Sequence, residues 1–197
     1  EDATLSLAGT KFRSRGTLLI TDWGVSGPAT LKLSSYAAYY LKDNDYKAHL
    51  IINYLSIDEE SVRRELGQTS ESQPKKQVAN TPVRGITSRL WSYLLKRSGI
   101  REDIRWAELG SKGLNRLVNT IVSDDYRVDG RCRFKEEFVT AGGVSSSEIN
   151  PQTLESKHFP GLYFAGEVLD IDAITGGFNL QAAWSTAFVV AKALQNF

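Results

Sequence analysis

Apolar residues recur along this chain with strand, helix and strand periods in turn. Ala3 to Leu7 alternates apolar and polar positions, and Gly16 to Thr21 (GTLLIT) is a short apolar run bounded by glycine and aspartate; both patterns predict strands. The turn Trp23-Gly-Val-Ser-Gly-Pro28 leads into a helix predicted over Ala29 to Leu41. Ser26 or Gly27 is its cap, and Pro28 takes the first position, where a missing N–H costs nothing. Lys47 to Tyr54 predicts another strand. From Ile57 the period becomes helical. Asp58 and Glu59 lie in the first turn of a helix reaching about Leu66, and the polar stretch from Gly67 to Asn80 is expected to be a mobile surface loop. Thr81-Pro82 opens a second helix, with Ile86, Leu90, Tyr93 and Leu94 at helical spacing. A third runs from about Gly113 to Val122, with Leu114, Leu117, Val118 and Ile121 on one face. Alternation returns at Tyr126, Val128, Gly130, Cys132 and Phe134, which predicts a strand with one wet face.

Three glycine-bearing turns close the chain: Val139-Thr-Ala-Gly-Gly-Val144, Gly161-Leu-Tyr-Phe-Ala-Gly-Glu167 and Thr175-Gly-Gly-Phe-Asn-Leu180. Leu162 to Ala165 predicts an internal strand ending at Gly166 and Glu167. Glycine there admits a ligand to the backbone, and an acid at the carboxyl end of a strand can accept a hydrogen bond from a sugar-like hydroxyl. Gly176 and Gly177 open a helix over Gln181 to about Gln195 that is apolar almost all round, the pattern of a helix buried against a sheet. The unpaired N–H groups and positive dipole end at its start favour negative charge, on phosphate or on a reduced flavin ring, and Asn179 caps the helix or touches the ring. Taken singly, each feature is more often a plain turn than a ligand contact. Their order and spacing give them weight together.

Composition narrows the picture only slightly. Twenty-four basic and 23 acidic residues leave a net charge of +1, and no basic run exceeds two adjacent residues. That balance gives no argument for nucleic acid or for an anionic membrane as a partner. Cys132 is the single cysteine, so no intrachain disulfide forms, and a reducing, cytoplasmic setting is expected. No apolar run reaches the length of a membrane span, and no His/Cys/Asp/Glu pattern predicts a metal. The chain contains no methionine and starts within strand-like sequence, so the expectation is a piece of a longer protein. His49, in a strand-like run, and His158, in a turn, are expected to be structural or solvated, and no side chain demands a catalytic role.

The stretch PGLYFAGEVLDIDAITGGFNLQAAWSTAF, preceded by FVTAGGVSSSEINPQTLESK, closely resembles the aminoacetone-oxidase-like family of FAD-dependent (NAD(P)/FAD-dependent) oxidoreductases, which includes a reductase of bile-acid intermediates. GTLLITDWGVSGPATLKLS resembles a family segment too, so the likeness covers nearly the whole chain. It implies an α+β / α/β fold built from a β domain (1–55 and 121–138), a helical subdomain inserted in it (56–120), and the last strand–helix part of a Rossmann-like FAD domain (139–197). The implied cofactor is FAD, with NAD(P)H as an electron donor. Gly142, Gly143, Val144, Gly166, Glu167, Gly176, Gly177, Phe178, Asn179 and Leu180 are the implied binding residues. Glu167 would face the ribityl chain or a phosphate, and the 176–179 loop the flavin ring.

Two departures from the family pattern stand out. The Gly-x-Gly-x-x-Gly phosphate fingerprint is absent, so the chain is expected to need the amino-terminal part of the same polypeptide as its partner and to bind FAD weakly or not at all by itself. Asp22 and Trp23 stand where relatives commonly have histidine and phenylalanine. The expected substrate is a small or sterol-like organic molecule. The alternatives are a non-catalytic interaction module and a nucleotide-binding regulator. Self-association through an exposed apolar patch on the last helix is also expected.

Overall fold

The computed structural model describes residues 2–132, 139–174 and 176–195. Phe134 and Thr175, which belong to the predicted return strand and the last glycine turn, lie outside them. The chain divides into two units, Glu1–Leu33 with Tyr46–Gly130, and Ser34–Asp45 with Arg131–Phe197. The fold class is α+β.

In the first unit, β1 (Asp2–Leu7), β2 (Arg13–Thr17), β5 (Lys47–Asn53) and β6 (Asp124–Asp129) form an antiparallel sheet in the order β2-β1-β5-β6. β1 is central and carries Ala3, Leu5 and Leu7 into the core, while the alternation of β6 puts Asp125, Arg127 and Asp129 in solvent. The apolar run from Gly16 to Thr21 is not one strand. β2 ends at Thr17, and Leu19–Ile20 (β3) pairs instead with Val25–Ser26 (β4) in a separate hairpin. Gly27 (φ +89°) returns against this break, where a Cβ would stand 3.0 Å from the Thr17 carbonyl oxygen and 3.1 Å from the Leu19 nitrogen. Glycine alone fits there.

The helix expected over Ala29 to Leu41 is two helices, α1 (Pro28–Tyr36) and α2 (Ala38–Asp43), separated at Ala37, which is fully buried. Pro28 holds the first position as expected, and Gly27 supplies the first helical acceptor, to Leu31.

Three further helices complete the first unit. α3 (Glu59–Ser72) starts at Asp58, whose carboxylate accepts from the Ser61 N–H at 2.8 Å, and buries Val62 and Leu66. Its extent corrects the expected mobile loop. The helix continues through Gly67 for another turn and a half, with Gln68, Glu71 and Ser72 exposed, and residues 73–81 are fastened. Val78 is fully buried and its N–H bonds the Ile104 carbonyl at 2.9 Å; its own carbonyl accepts from Trp91 Nε1 at 2.8 Å. A polar composition hides such anchoring when one apolar residue and two tryptophan donors supply it.

α4 (Ser88–Arg97) begins later than Thr81 and buries Trp91, Leu94 and Leu95, leaving Tyr93 exposed. α5 (Trp106–Val122) is bent at Gly110 (φ 62°, ψ 172°), and beyond the bend it packs Leu117, Val118 and Ile121 inward as expected. Tyr54 and Asp124, from two elements that the chain separates by the helices, meet under Arg97 of α4. Tyr54 Oη donates to Asp124 Oδ2 at 3.0 Å and Arg97 Nε to Asp124 Oδ1 at 2.5 Å.

The second unit is built from α2, irregular loops and α6 (Phe178–Leu194). Its core is Ile149, Leu154 and Leu169, with Val144, Phe164, Val189 and Val190 packed around it. No helix among the described residues is long and apolar enough to cross a membrane.

Candidate functional site in the glycine loops

The first two glycine turns meet at the turn from Gly166 to Asp170. Val144 N–H bonds the Val168 carbonyl at 2.8 Å, and Asp170 N–H bonds the Val144 carbonyl at 3.0 Å, a parallel bridge around Leu169. Gly143 lies flat on that turn. A Cβ there would be 2.6 Å from the Val168 oxygen and 2.8 Å from the Asp170 nitrogen, so close packing, rather than an open cradle, explains this glycine. Gly142 (φ 105°) has more room, with the Tyr39 hydroxyl 3.9 Å from a Cβ position.

Leu162 to Ala165 is not a sheet strand among the described residues. Tyr163 makes an isolated antiparallel bridge to Glu155, through bonds from the Ser156 N–H to the Leu162 carbonyl (2.7 Å) and from the Phe164 N–H to the Leu154 carbonyl (3.0 Å). Gly166 (φ 77°) then starts a single helical turn that includes Glu167 and Val168. Its N–H donates to Thr186 Oγ1 at 2.9 Å, which fixes the turn against α6. Glu167 is exposed and has no ion pair among the described residues, so its carboxylate is free to accept from a hydroxyl.

α6 starts at Gly177 (φ 89°), and no side chain among the described residues caps it. Asn179 is not the cap that the sequence predicts. It bonds the Ala173 backbone twice, accepting from the N–H at 2.8 Å and donating to the carbonyl at 3.0 Å, and so holds the incoming loop. The first turn, with Phe178 and Leu180 exposed, carries no acidic residue, leaving the positive end of the helix unopposed. Nothing stands within 4 Å of a Cβ position at Gly177. Open backbone, N–H groups without a partner among the described residues, and an exposed ring fit an anionic or electron-rich planar group.

None of the described residues of α6 is buried, against the pattern of a helix packed on all sides, and the expected apolar patch is exposed on it. Ala182, Ala183, Thr186, Val189, Val190 and Ala193 are half-buried on one face. Leu180, Trp184, Ala187, Phe188 and Ala191 form the opposite stripe, with Trp184 and Phe188 each 70% exposed. The helix is apolar all round because both faces are apolar, yet only one has a packing partner in the described structure.

Tyr39 of α2 is a residue that sequence reasoning missed. Its hydroxyl is 3.5 Å from Asp170 Oδ1, and the charges of Asp170 and Asp172 hold the phenol above its ordinary pKa. More than 130 residues separate the pair in sequence, and only the Tyr-Tyr repeat in a helix marks the position. Asp22 and Trp23 lie in the other unit, at the exposed tip of the β3–β4 hairpin, which Thr21 closes by bonds to Gly24. Both histidines are solvated partners of carboxylates, His49 with Asp125 and His158 with Glu148. No group of three potential metal ligands occurs among the described residues.

Residues 1–139 match the family described as "HI0933-like protein barrel and H2TH domain". The chain belongs to the HI0933-like family. Among the relatives of this HI0933-like chain is a ribosomal RNA dihydrouridine synthase of Haemophilus influenzae, 32% identical over 189 residues, covering 96% of this chain and 44% of the relative. Its counterpart in Escherichia coli is 30% identical over 186 residues, with 94% and 44% covered. A 3-dehydro-bile acid delta(4,6)-reductase of Clostridium scindens is 30% identical over 179 residues, with 90% and 44% covered. The HI0933-like chain therefore spans less than half the length of these curated relatives.

Proposed function

We propose that this chain is part of a flavin-dependent reductase that saturates a carbon–carbon double bond in an unsaturated ring. Its relatives' names differ in substrate but share that chemistry, since uridine becomes dihydrouridine by reduction of one ring double bond, and a delta(4,6)-reductase also acts on ring double bonds. The observation that carries the reading is the open, uncapped start of α6 behind Gly176 and Gly177. FAD bound there would supply a hydride to the electron-poor ring carbon, with NAD(P)H as the donor that restores it.

The chain's own residues hold and orient. The α6 amino terminus would stabilise negative charge on the ring, Phe178 and Leu180 would cover it, and Glu167 would accept from the ribityl hydroxyls. Gly142 and Val144 would line the same pocket, with Gly143 packing that loop onto the turn from Val168 to Asp170. Tyr39, beside Asp170, would supply the proton that balances the hydride. In this reading residues 139–197 are the last part of a Rossmann-like FAD domain, and the amino-terminal part of the same polypeptide covers the open stripe of α6 and seats the pyrophosphate. The setting is cytoplasmic. The substrate is either a small enone-bearing molecule or a uridine in RNA.

The test is anaerobic reduction of the flavin by NADH and NADPH, followed by reoxidation with uridine-containing RNA and with a steroid dienone. Turnover with one of them is expected. A flavin that no such acceptor reoxidises contradicts the proposal.

A further inference from the structure

The near-zero total charge conceals a segregation. Between residues 57 and 123 stand twelve basic and eight acidic residues, a surplus of four, against a deficit of three over the rest of a chain whose total is +1. Within that segment the thirty residues 72–101 contain seven lysines and arginines and no aspartate or glutamate. The structure turns part of this into a face. Arg89, Ser92, Tyr93, Lys96 and Arg97 recur at three- and four-residue spacing on the exposed side of α4, opposite the buried Trp91, Leu94 and Leu95.

Arg97 is occupied. It is paired with Asp124 and stacked over the Tyr126 ring, 4.3 Å from its centroid. The Tyr126 hydroxyl in turn bonds that of Tyr93 at 2.9 Å, which holds the exposed Tyr93 ring in place. Arg89 and Lys96 are exposed and have no ion pair among the described residues, as is also true of Lys75, Lys76 and Arg84.

We propose that this face of α4 is a docking surface for the phosphate backbone of RNA, with Tyr93 as a fixed ring for a base or sugar to rest on. The inference rests on the reductase reading in its RNA-substrate form. Cations at helical spacing match a run of phosphates, and a fixed exposed tyrosine is the side chain on which unpaired RNA bases stack. An anionic membrane fits less well. A helix that lies on a membrane inserts its apolar face into the lipid, and the apolar face of α4 is already buried within its own unit.

The experiment measures anisotropy of a fluorescein-labelled RNA hairpin with the full chain over a salt series. It compares the wild type, Arg89→Glu with Lys96→Glu, and a charge-matched control, Lys11→Glu with Lys42→Glu. The α4 double variant is expected to bind roughly 10–100-fold more weakly at about 0.1 M salt and to lower the salt slope by about two, while the control binds as the wild type does. Glutamine at the same two positions serves if the reversal disturbs melting. Absence of RNA binding, equal binding by wild type and α4 variant, or equal loss in the control overturns the proposal. So does binding to phosphatidylglycerol vesicles without binding to RNA. The two readings fail separately, because flavin reduction without RNA binding contradicts only this inference, and RNA binding without flavin contradicts only the reductase.

Discussion

Gly143 and Val168 touch so closely that a single methyl group at residue 143 would stand 2.6 Å from the Val168 carbonyl oxygen. The neighbouring Leu169 carbon and Asp170 nitrogen are also backbone, so no side chain can swing aside. Gly143→Ala is therefore expected to break the bridge between Val144 and Leu169 and to destabilise the second unit by about 1–3 kcal/mol. Gly142→Ala, with no backbone so near, is expected to perturb melting less. Thermal unfolding of the two variants checks the order.

The buried Asp124 holds Arg97 and Tyr54 at once. Asp124→Ala leaves a guanidinium and a phenol without their acceptor and is expected to cost about 2–3 kcal/mol, a range kept below that of a fully buried pair because Arg97 is about one-third exposed. Urea unfolding should give a lower midpoint. An unchanged midpoint would mean that water replaces the carboxylate without loss.

The same cluster sets an alkaline limit. Burial, first of all, pushes the phenols of Tyr54 and Tyr126 above their ordinary value of 10.0 in the folded protein. The unfolded chain then loses these protons before the folded one does, so the stability they contribute is complete below pH 10.0 and declines as pH rises beyond it. Melting temperature is expected to fall above that pH, and Tyr54→Phe to flatten the decline. A variant with the wild-type slope would contradict the assignment.

The open stripe of α6 predicts behaviour in solution. With Trp184 and Phe188 mostly exposed, the chain by itself is expected to bind a hydrophobic dye or to self-associate. Trp184→Lys with Phe188→Lys should reduce both while far-UV circular dichroism keeps its helical signal, since neither residue packs inward. A monomer with no dye binding would indicate that the stripe finds cover.

Legibility in the sequence followed the range of the interactions. β1, β5, the start of α3 and the inward face of α5 were readable because alternation, acidic residues at the start of a helix and a 3.6-residue period are local. The break between β2 and β3 was not, because it depends on Gly27 returning against Thr17 and Leu19. Residues 73–81 were misread because their order comes from the tryptophans at 91 and 106 and the carbonyl of Ile104. In the candidate site, the glycine turns and the amino terminus of α6 were visible as motifs. The bonds of Asn179 to Ala173 and the partner of Tyr39 were not legible, since each depends on a group that folding brings near. Hydropathy marks α6 as apolar on every side and reports what a surface can pack against rather than what is present, so the exposed patch was legible but not which face bears it.

The most direct test is the visible absorption spectrum of the longer polypeptide proposed to carry this chain, purified without added cofactor and recorded beside the spectrum of the 197-residue chain. The account predicts flavin bands in the longer protein, bleached by a nicotinamide donor, and little or no colour in the shorter one. A colourless longer protein whose melting does not shift when FAD is added would contradict it.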